Sequence, residues 1–236
     1  MLKKIINIIK YGNKASSESY IKYLRSIGVE IGEGVRFFAP MTNTIDIQNP
    51  FMIQIGNNVR ITKGVAILTH DYSWSVLTGL EGILCGSISK VNIGNNVFIG
   101  INSIILRGVN IGNNVIIGAG SIVSKNCKDN SVYAGNPAKY IMSIEEFYKK
   151  RLELQYKEAK ELAQNYYKKT GKLPDEKIME EYFYLFTDYS KNVSTEIISR
   201  IKRTGYYEIC IDKLKKNKPK FKDIDEFLQS CSIGNE

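Results

Sequence analysis

The chain has little of several residue types, and each shortage excludes a class of protein. It contains one histidine, one tryptophan and four cysteines in 236 residues. A single histidine cannot supply the three imidazoles of a carbonic-anhydrase type of zinc site, and no metal is expected. The cysteines lack metal-ligand spacing and suggest no disulfide framework, so a reducing cytoplasm is the expected location; they are Cys85, Cys127, Cys210 and Cys231.

Long apolar runs are also missing, since no stretch approaches the ~20 residues of a membrane-spanning helix. Residues 1–10 place basic residues around a short apolar segment, and no small-residue cleavage site follows. This pattern is not typical of a signal peptide. We expect an amphipathic helix or an end cap there, and a peripheral membrane contact through residues 1–10 is the less favoured alternative.

The charge is uneven along the chain, which has a formal net charge of +9. Residues 1–139 carry 14 basic and 7 acidic side chains, whereas residues 140–236 carry 19 and 17. A basic N-terminal part suits a polyanionic small molecule, an acidic polysaccharide or nucleic acid, although a merely solubilising charge is the alternative. No nucleic-acid motif or dense arginine cluster occurs, so nucleic acid is not expected as a partner.

What the chain does have is a repeat of six residues over 55–72 and 93–128. An aliphatic residue opens each hexapeptide, and Asn or Gly follows three residues later in all but one. Asn and Gly tolerate left-handed backbone at corners. A period of six fits neither a helix nor a simple strand, and it predicts a β-solenoid in which each hexapeptide forms a short strand and a corner. The opening residues are Ile55, Ile61, Ile67, Ile93, Ile99, Ile105, Ile111, Ile117 and Val123.

The exception is His70, which holds the place of the corner residue. Local rules tend to fail where function is placed. A twenty-residue interruption, 71–90, opens directly after this histidine, and long loops inside a compact repeat are usually functional. Because imidazole titrates near neutral pH, the position is suited to a general base.

The composition predicts three segments. Residues 1–28 form a helical cap, with Ser16 or Ser17 capping a short helix that Gly28 ends. Residues 29–139 form the solenoid, with the protruding loop 71–90. Residues 140–236 form an α-helical appendage, whose tyrosines and lysines suit either a partner or, preferably, its own core and solvated face. The helical stretches expected after the first long helix lie at 175–187, 194–203, 206–216 and 223–231.

Four passages carry a resemblance to a known family: ILTHDYS at 67–73, IGINSIILRGVNIG at 99–112, IGAGSIVSK at 117–125 and AGNPAK at 134–139. Across about residues 29–140 the sequence resembles the hexapeptide-repeat acyltransferases, left-handed parallel β-helix enzymes that move an acetyl group from acetyl-CoA. It is most similar to the maltose, galactoside and xenobiotic acetyltransferase group and to O-acetyltransferases of bacterial surface polysaccharides. The resemblance implies a homotrimer with active sites between neighbouring subunits.

The resemblance also implies roles for particular residues. His70 is the catalytic base, and Asp71 either orients it, binds an acceptor hydroxyl or only caps a turn. The loop 71–90 matches no single family member well, so Tyr72 and Trp74 are candidates either for stacking on the acceptor sugar or, equally, for holding the loop to a neighbouring subunit. Asn102 is a further candidate for binding the acceptor. Phe98 stands where the family often has tryptophan. The residues expected to contact acetyl-CoA are Phe98, Gly100, Gly118, Ala119, Ser124, Lys125 and Lys139.

We expect O-acetylation of a sugar hydroxyl, in a bacterial surface glycan of capsular or lipopolysaccharide type or its precursor. N-acetylation of an amino-sugar nucleotide is the alternative within enzymes. A covalent route through Cys85 is disfavoured because His70 is the sole evident partner base. A structural or binding solenoid without activity is the remaining alternative.

Overall fold

The structure is a computed structural model that describes residues 2–190 and 193–233. The chain forms two compact units, Met1–Phe147 and Tyr148–Glu236. The sequence-based division into three segments at 28 and 139 stays a prediction. No described helix is long and apolar enough to cross a membrane.

Two helices precede the strands of the first unit, α1 (Leu2–Tyr11) and α2 (Ser17–Ser26). Ser16 caps α2, because its hydroxyl accepts from the Ser19 N–H while the Ser19 hydroxyl accepts from the Ser16 N–H. Such a reciprocal pair satisfies two free donors at the start of a helix. Tyr20 and Leu24 are buried in the core of the first unit.

The rest of the first unit is a parallel β-helix with three faces. Face 1 contains β1 (Glu30–Ile31), β4 (Ile53–Ile55), β7 (Val91–Ile93) and β10 (Asn110–Ile111). Face 2 contains β2 (Arg36–Phe37), β5 (Arg60–Ile61), β8 (Phe98–Ile99), β11 (Val115–Ile117) and β13 (Ser131–Ala134), and the antiparallel β14 (Lys139–Ser143) closes it. Face 3 contains β3 (Thr44–Ile45), β6 (Ala66–Ile67), β9 (Ile104–Ile105) and β12 (Ile122–Val123). The left-handed sense stays a prediction.

The register shows that three hexapeptides form one coil. Ile93 pairs with Ile111 and Ile99 pairs with Ile117. The aliphatic residue that opens each hexapeptide is buried, so the repeat stacks its apolar residues into one continuous core. A backbone of short strands fixed at this spacing is what positions the corner residues.

The three corners of the coil differ in backbone conformation. Corner 1, between faces 1 and 2, has positive φ at Gly34, Asn58, Asn96, Asn114 and Asn130. Corner 2, between faces 2 and 3, has it at Gly64, Asn102 and Gly120. At corner 3, between faces 3 and 1, Gly108 alone among the described repeat positions is left-handed, and His70 and Asn126 are not. The expectation that His70 replaces a left-handed corner residue is therefore wrong.

The second unit is helical. Its helices are α4 (Ile144–Thr170, which begins in the first unit), α5 (Thr195–Thr204), α6 (Tyr207–Lys215) and α7 (Ile224–Ser230). The expected helix at 175–187 is wrong, because this stretch is turns with a short 3-10 helix at Phe183–Leu185. Phe183, Leu185 and Phe186 are all buried there. The carbonyls of Tyr184 and Leu185 accept from the Asn217 side chain and the Phe221 N–H, so tertiary hydrogen bonds take the place of helical ones.

Candidate active site

His70 lies where the chain leaves corner 3 to form the loop 71–90. It makes an antiparallel bridge with Ile88, and the Ser89 N–H donates to the Thr69 carbonyl at 2.9 Å. The loop therefore returns to the point at which it departs. The loop contains a helix, α3 (Trp74–Glu81), with no buried residue.

The imidazole of His70 contacts a carboxylate that the repeat pattern does not show. Its Nδ1 lies 2.5 Å from Oδ2 of Asp46, which follows β3 on the preceding coil. The Asp46 side chain is only 4% exposed, whereas that of His70 is 29% exposed. The carboxylate is thus enclosed and the ring is reachable from solvent.

Asp46 is held as an anion by donors on three residues. Oδ2 accepts from the Thr69 N–H at 3.0 Å and from the Thr69 hydroxyl at 2.5 Å, and Oδ1 accepts from the Gln48 N–H at 3.0 Å. Burial opposes the charged form, but hydrogen bonds from Thr69, Gln48 and His70 outweigh it and lower the pKa of the Asp46 carboxyl below its usual value.

This charge state assigns the proton on the histidine ring. An ionised carboxylate only accepts hydrogen bonds, so Nδ1 of His70 carries its hydrogen toward Asp46. The lone pair of a neutral ring is then on Nε2. The arrangement supplies an oriented base with its free nitrogen on the ring edge away from the carboxylate.

Asp71 has different partners and lies at the base of the loop. Its carboxylate accepts from the Ser73 hydroxyl, from the Ser87 hydroxyl at 2.8 Å and from Nε of Arg107 at 2.7 Å. Hydrogen bonds from Ser73, then Arg107 and Ser87, lower the pKa of the Asp71 carboxyl well below its usual range. These contacts join both ends of the loop to Arg107 on the next coil. The role of Asp71 toward substrate stays a prediction.

Tyr72 and Trp74 are brought together at the start of the loop, with ring centroids 4.4 Å apart. Tyr72 is 68% exposed, so its ring has a free face. Cys85 is exposed further along the same loop. The structure therefore presents an aromatic pair four residues or fewer along the chain from His70.

Some of the residues expected at acetyl-CoA lie along corner 3 and face 3. Ser124 and Lys125 follow Val123, which stacks through Ile105 on Ile67. They are therefore two coils beyond His70, roughly 10 Å along the axis at the usual strand spacing. Both are exposed. Lys139 opens β14 on face 2, opposite Ala134 and near corner 2, and the N–H of the preceding Ala138 donates to the carbonyl of Ile122 on face 3.

The other expected residues lie on face 2 or at corner 2. Phe98 is 41% exposed on face 2. A Cβ on Gly100 would lie 2.5 Å from the backbone nitrogen of Ala119, and one on Gly118 would lie 2.8 Å from Cβ of Ala134. Coil stacking alone thus requires these glycines. Asn102 takes a left-handed corner (φ 57°).

Asp46 is the residue that sequence reasoning missed. The stretch 41–54 lacks the hexapeptide pattern, yet Thr44 and Ile45 pair in register with Ala66 and Ile67. This offset of 22 residues is not a multiple of six, so the spacing of the repeat does not by itself place Asp46 beside His70.

The chemistry available is that of an oriented base. Among the described residues, no group of three or more histidine, cysteine, aspartate or glutamate side chains is arranged to hold a metal ion. Buried Cys127 is an unsuitable nucleophile, because burial raises the pKa of its thiol to about 12.

Residues 90–125, which contain most of the coils beyond the loop, match the model of the bacterial transferase hexapeptide family (six repeats). Protein CapG from Staphylococcus aureus is 50% identical over 131 residues, which cover 55% of this chain and 74% of CapG. The chain belongs to the hexapeptide-repeat acyltransferases. It is an acyltransferase by that membership, and the matched repeats are the coils that follow the loop opened by His70.

Other relatives share a lower identity with this chain. "Putative acetyltransferase YvoF" from Bacillus subtilis is 30% identical over 60% of this chain and 76% of its own length. "Putative acetyltransferase C18B11.09c" from Schizosaccharomyces pombe is 37% identical over 50% of this chain and 55% of its own length. A maltose O-acetyltransferase structure from Clostridium difficile 630 shares 28% identity, covering 60% of this chain and 84% of that chain, with a TM-score of 0.40.

Proposed function

We propose that the protein transfers an acetyl group from acetyl-CoA to a hydroxyl of a sugar in a bacterial surface polysaccharide or its precursor. The observation that carries the proposal is the pair of His70 and Asp46. An enclosed, ionised carboxylate holds the ring at 2.5 Å, while the ring itself is partly open to solvent. A family member that transfers acyl groups needs such a base to activate its acceptor.

His70 acts in both halves of the transfer. Its Nε2 takes the proton of the sugar hydroxyl as the hydroxyl oxygen bonds to the thioester carbonyl carbon. The carbon–sulfur bond then breaks, and the protonated ring returns the proton to the CoA sulfur. Asp46 stabilises the imidazolium between these steps and keeps Nδ1 protonated throughout.

The choice of acetyl-CoA and of a glycan has separate support. The two relatives described as acetyltransferases favour acetyl as the group transferred. Lys125 is exposed at corner 3, the corner that carries His70, and Lys139 is exposed near corner 2; lysine suits the phosphates of CoA. Tyr72 and Trp74 offer aromatic faces to the apolar face of a sugar ring. The resemblance of the sequence to surface-polysaccharide O-acetyltransferases supports the acceptor.

The distribution of the expected residues supports a homotrimer. His70 lies at corner 3, whereas Gly100, Gly118 and Asn102 lie at corner 2, across face 3 of the same chain. If corner 2 of a neighbouring subunit meets corner 3, both sets line one cleft. A left-handed coil, a three-fold axis and action in the cytoplasm complete the proposal.

The test measures thiol release from acetyl-CoA with a panel of sugar acceptors and amino-sugar nucleotides. We expect release with hydroxyl acceptors, acetyl ester in the product by NMR, and loss of both in His70→Ala. Acetamide formation on an amino-sugar nucleotide would replace the proposal by N-acetylation. A monomer at micromolar concentration in light scattering would exclude the shared cleft.

A further inference from the structure

A cavity that is separate from the candidate active site lies wholly within the helical unit. It is a groove of about 760 Å³ between α4, the 3-10 segment around residue 183 and the chain that leaves α6. This volume is within the roughly 300–1,000 Å³ of small-molecule sites. None of the residues considered at the acyltransfer site contributes to it.

The groove is lined by an unusual number of tyrosines: Tyr148, Tyr156, Tyr182 and Tyr184. The Tyr184 hydroxyl donates to the carbonyl of Cys210 at 2.9 Å, and Asn217 donates to the carbonyl of Tyr184 at 2.8 Å. Tyr148 is 53% exposed. Fixed aromatic rings with an open face are suited to stacking on the C–H faces of sugar rings.

The charge of the groove is positive. Its lining includes four basic side chains, Arg151, Lys213, Lys218 and Lys220, and two acidic ones, Glu153 and Glu181. Glu181 is neutralised by Arg200 at 2.6 Å and Arg151 by Glu158 at 2.5 Å, so the three lysines carry the positive charge. The ammonium of Lys220 lies 3.8 Å from the centroid of the Tyr156 ring, so a cation and an aromatic face are presented together.

We propose that this groove binds a short acidic oligosaccharide, a segment of a glycan chain that carries carboxylates. Tyrosine faces select sugar rings, and the lysines select an anion, so the two features together favour a uronic-acid-containing chain over a neutral sugar or an isolated phosphate. The role of the groove rests on the proposed function: the groove holds one segment of a polysaccharide acceptor while a different segment is acetylated.

The experiment measures binding of tetragalacturonic acid by calorimetry, with maltotetraose and tripolyphosphate as comparison ligands. The variants are Tyr148→Ala and Lys220→Gln. Their matched controls on α4 are Tyr166→Ala and Lys168→Gln, which do not line the groove. Circular dichroism establishes that each variant is folded.

We expect the wild-type protein to bind tetragalacturonate at least tenfold more tightly than maltotetraose. Each groove variant should weaken that binding about fivefold or more, while the controls stay within twofold. Equal weakening by the controls, binding of tripolyphosphate as tight as that of tetragalacturonate, or no binding would overturn the inference.

The two proposals fail separately. Transfer to a short sugar acceptor without tetragalacturonate binding would remove the groove as a glycan site and leave the acetyltransferase. Binding that persists in His70→Ala while no acceptor is acetylated by wild type would remove the proposed reaction and leave the groove.

Discussion

Corner 1 and corner 3 of the same β-helix show how one repeat supports both regularity and function. At corner 1 the turns of successive coils are joined by side chains. The Asn57 N–H donates to Oδ1 of Asn95, the Asn95 N–H to Oδ1 of Asn113, and the Asn113 N–H to Oδ1 of Asp129, at 2.8–2.9 Å. At corner 3 the chain departs after Asp46 and again after His70.

The difference has a physical cause. At corner 1 the backbone donors of one coil meet oxygens of a neighbouring coil, either of a side chain, as at Asn57, or of the backbone, as at Asn96, so an insertion there would break the stack. Corner 3 lacks that continuous stack, so it accepts the stretches 46–52 and 71–90. The same freedom lets Asp46 turn inward to Thr69 and His70. Function is placed where the repeat is least constrained.

The sharpest test of this comparison is His70→Asn. We expect acetyl transfer to fall by roughly two to four orders of magnitude, the usual effect of removing a general base. Stability should change little, because this corner is not left-handed and Asn gains nothing from its tolerance of such backbone. Steady-state rates and thermal unfolding measure the two effects. Near-normal transfer would show that corner 3 does not supply the base.

Asp46→Asn should have the next largest effect. Without the anion the ring loses its orientation and its stabilised imidazolium, and we expect kcat to fall roughly 10- to 100-fold, as for other residues that orient a functional histidine. KM for acetyl-CoA should stay unchanged. Because the chain has one histidine, ¹⁵N NMR reports the tautomer of His70 directly. An unaltered tautomer and kcat would reduce Asp46 to a structural residue.

Glycine substitutions compare the stability of the two corners. A Cβ on Gly94 at corner 1 would lie 2.6 Å from the Gly112 carbonyl oxygen, so Gly94→Ala should destabilise by about 3 kcal/mol. At corner 3, Gly108→Ala meets Ser89 at 3.4 Å and has a φ of 78°, which should cost about 1 kcal/mol. Urea unfolding of the β-helix measures both, and the reverse order would contradict the comparison.

The stability that Asp46 contributes should depend on acid pH. Its pKa is lowered in the folded protein, so its contribution is present above the unfolded value of about 3.9 and is lost as pH falls through the lower folded value. The difference in unfolding free energy between wild type and Asp46→Asn should be about 1–2 kcal/mol at pH 7. It should shrink below pH 4 in urea titrations; a constant difference would mean that the charge contributes nothing.

The smallest effect is expected at two lysines, Lys125 at corner 3 and Lys139 near corner 2. Lys125→Ala and Lys139→Ala should each weaken acetyl-CoA binding several-fold, about 1 kcal/mol. The wild-type affinity should fall with added salt, because both side chains are exposed and their phosphate contacts are screened. Calorimetry measures this, with Lys128→Ala as the control. Unchanged affinity in both variants would mean that neither lysine contacts the CoA phosphates.

The sequence by itself determined the coil. A residue type every six positions is a local property, and it predicted the buried aliphatic positions and the left-handed Asn or Gly at corners 1 and 2. It also located His70 as an exception. The expected reason, a left-handed backbone at His70, was wrong, because the backbone at corner 3 depends on the loop that leaves there and not on the hexapeptide.

Only the tertiary structure decided the partner of His70. Asp46 lies 24 residues away, beyond an interrupted stretch, and adjacent Asp71 was the nearer candidate in sequence. Which carboxylate meets the ring depends on side-chain direction across stacked coils, where Arg107, Ser73 and Ser87 draw Asp71 to the loop base. The tertiary structure also decided the conformation of residues 175–187, where burial on several sides outweighed the helical spacing of the apolar residues. Periodicity records which residues face a core, whereas a site depends on which coils are adjacent.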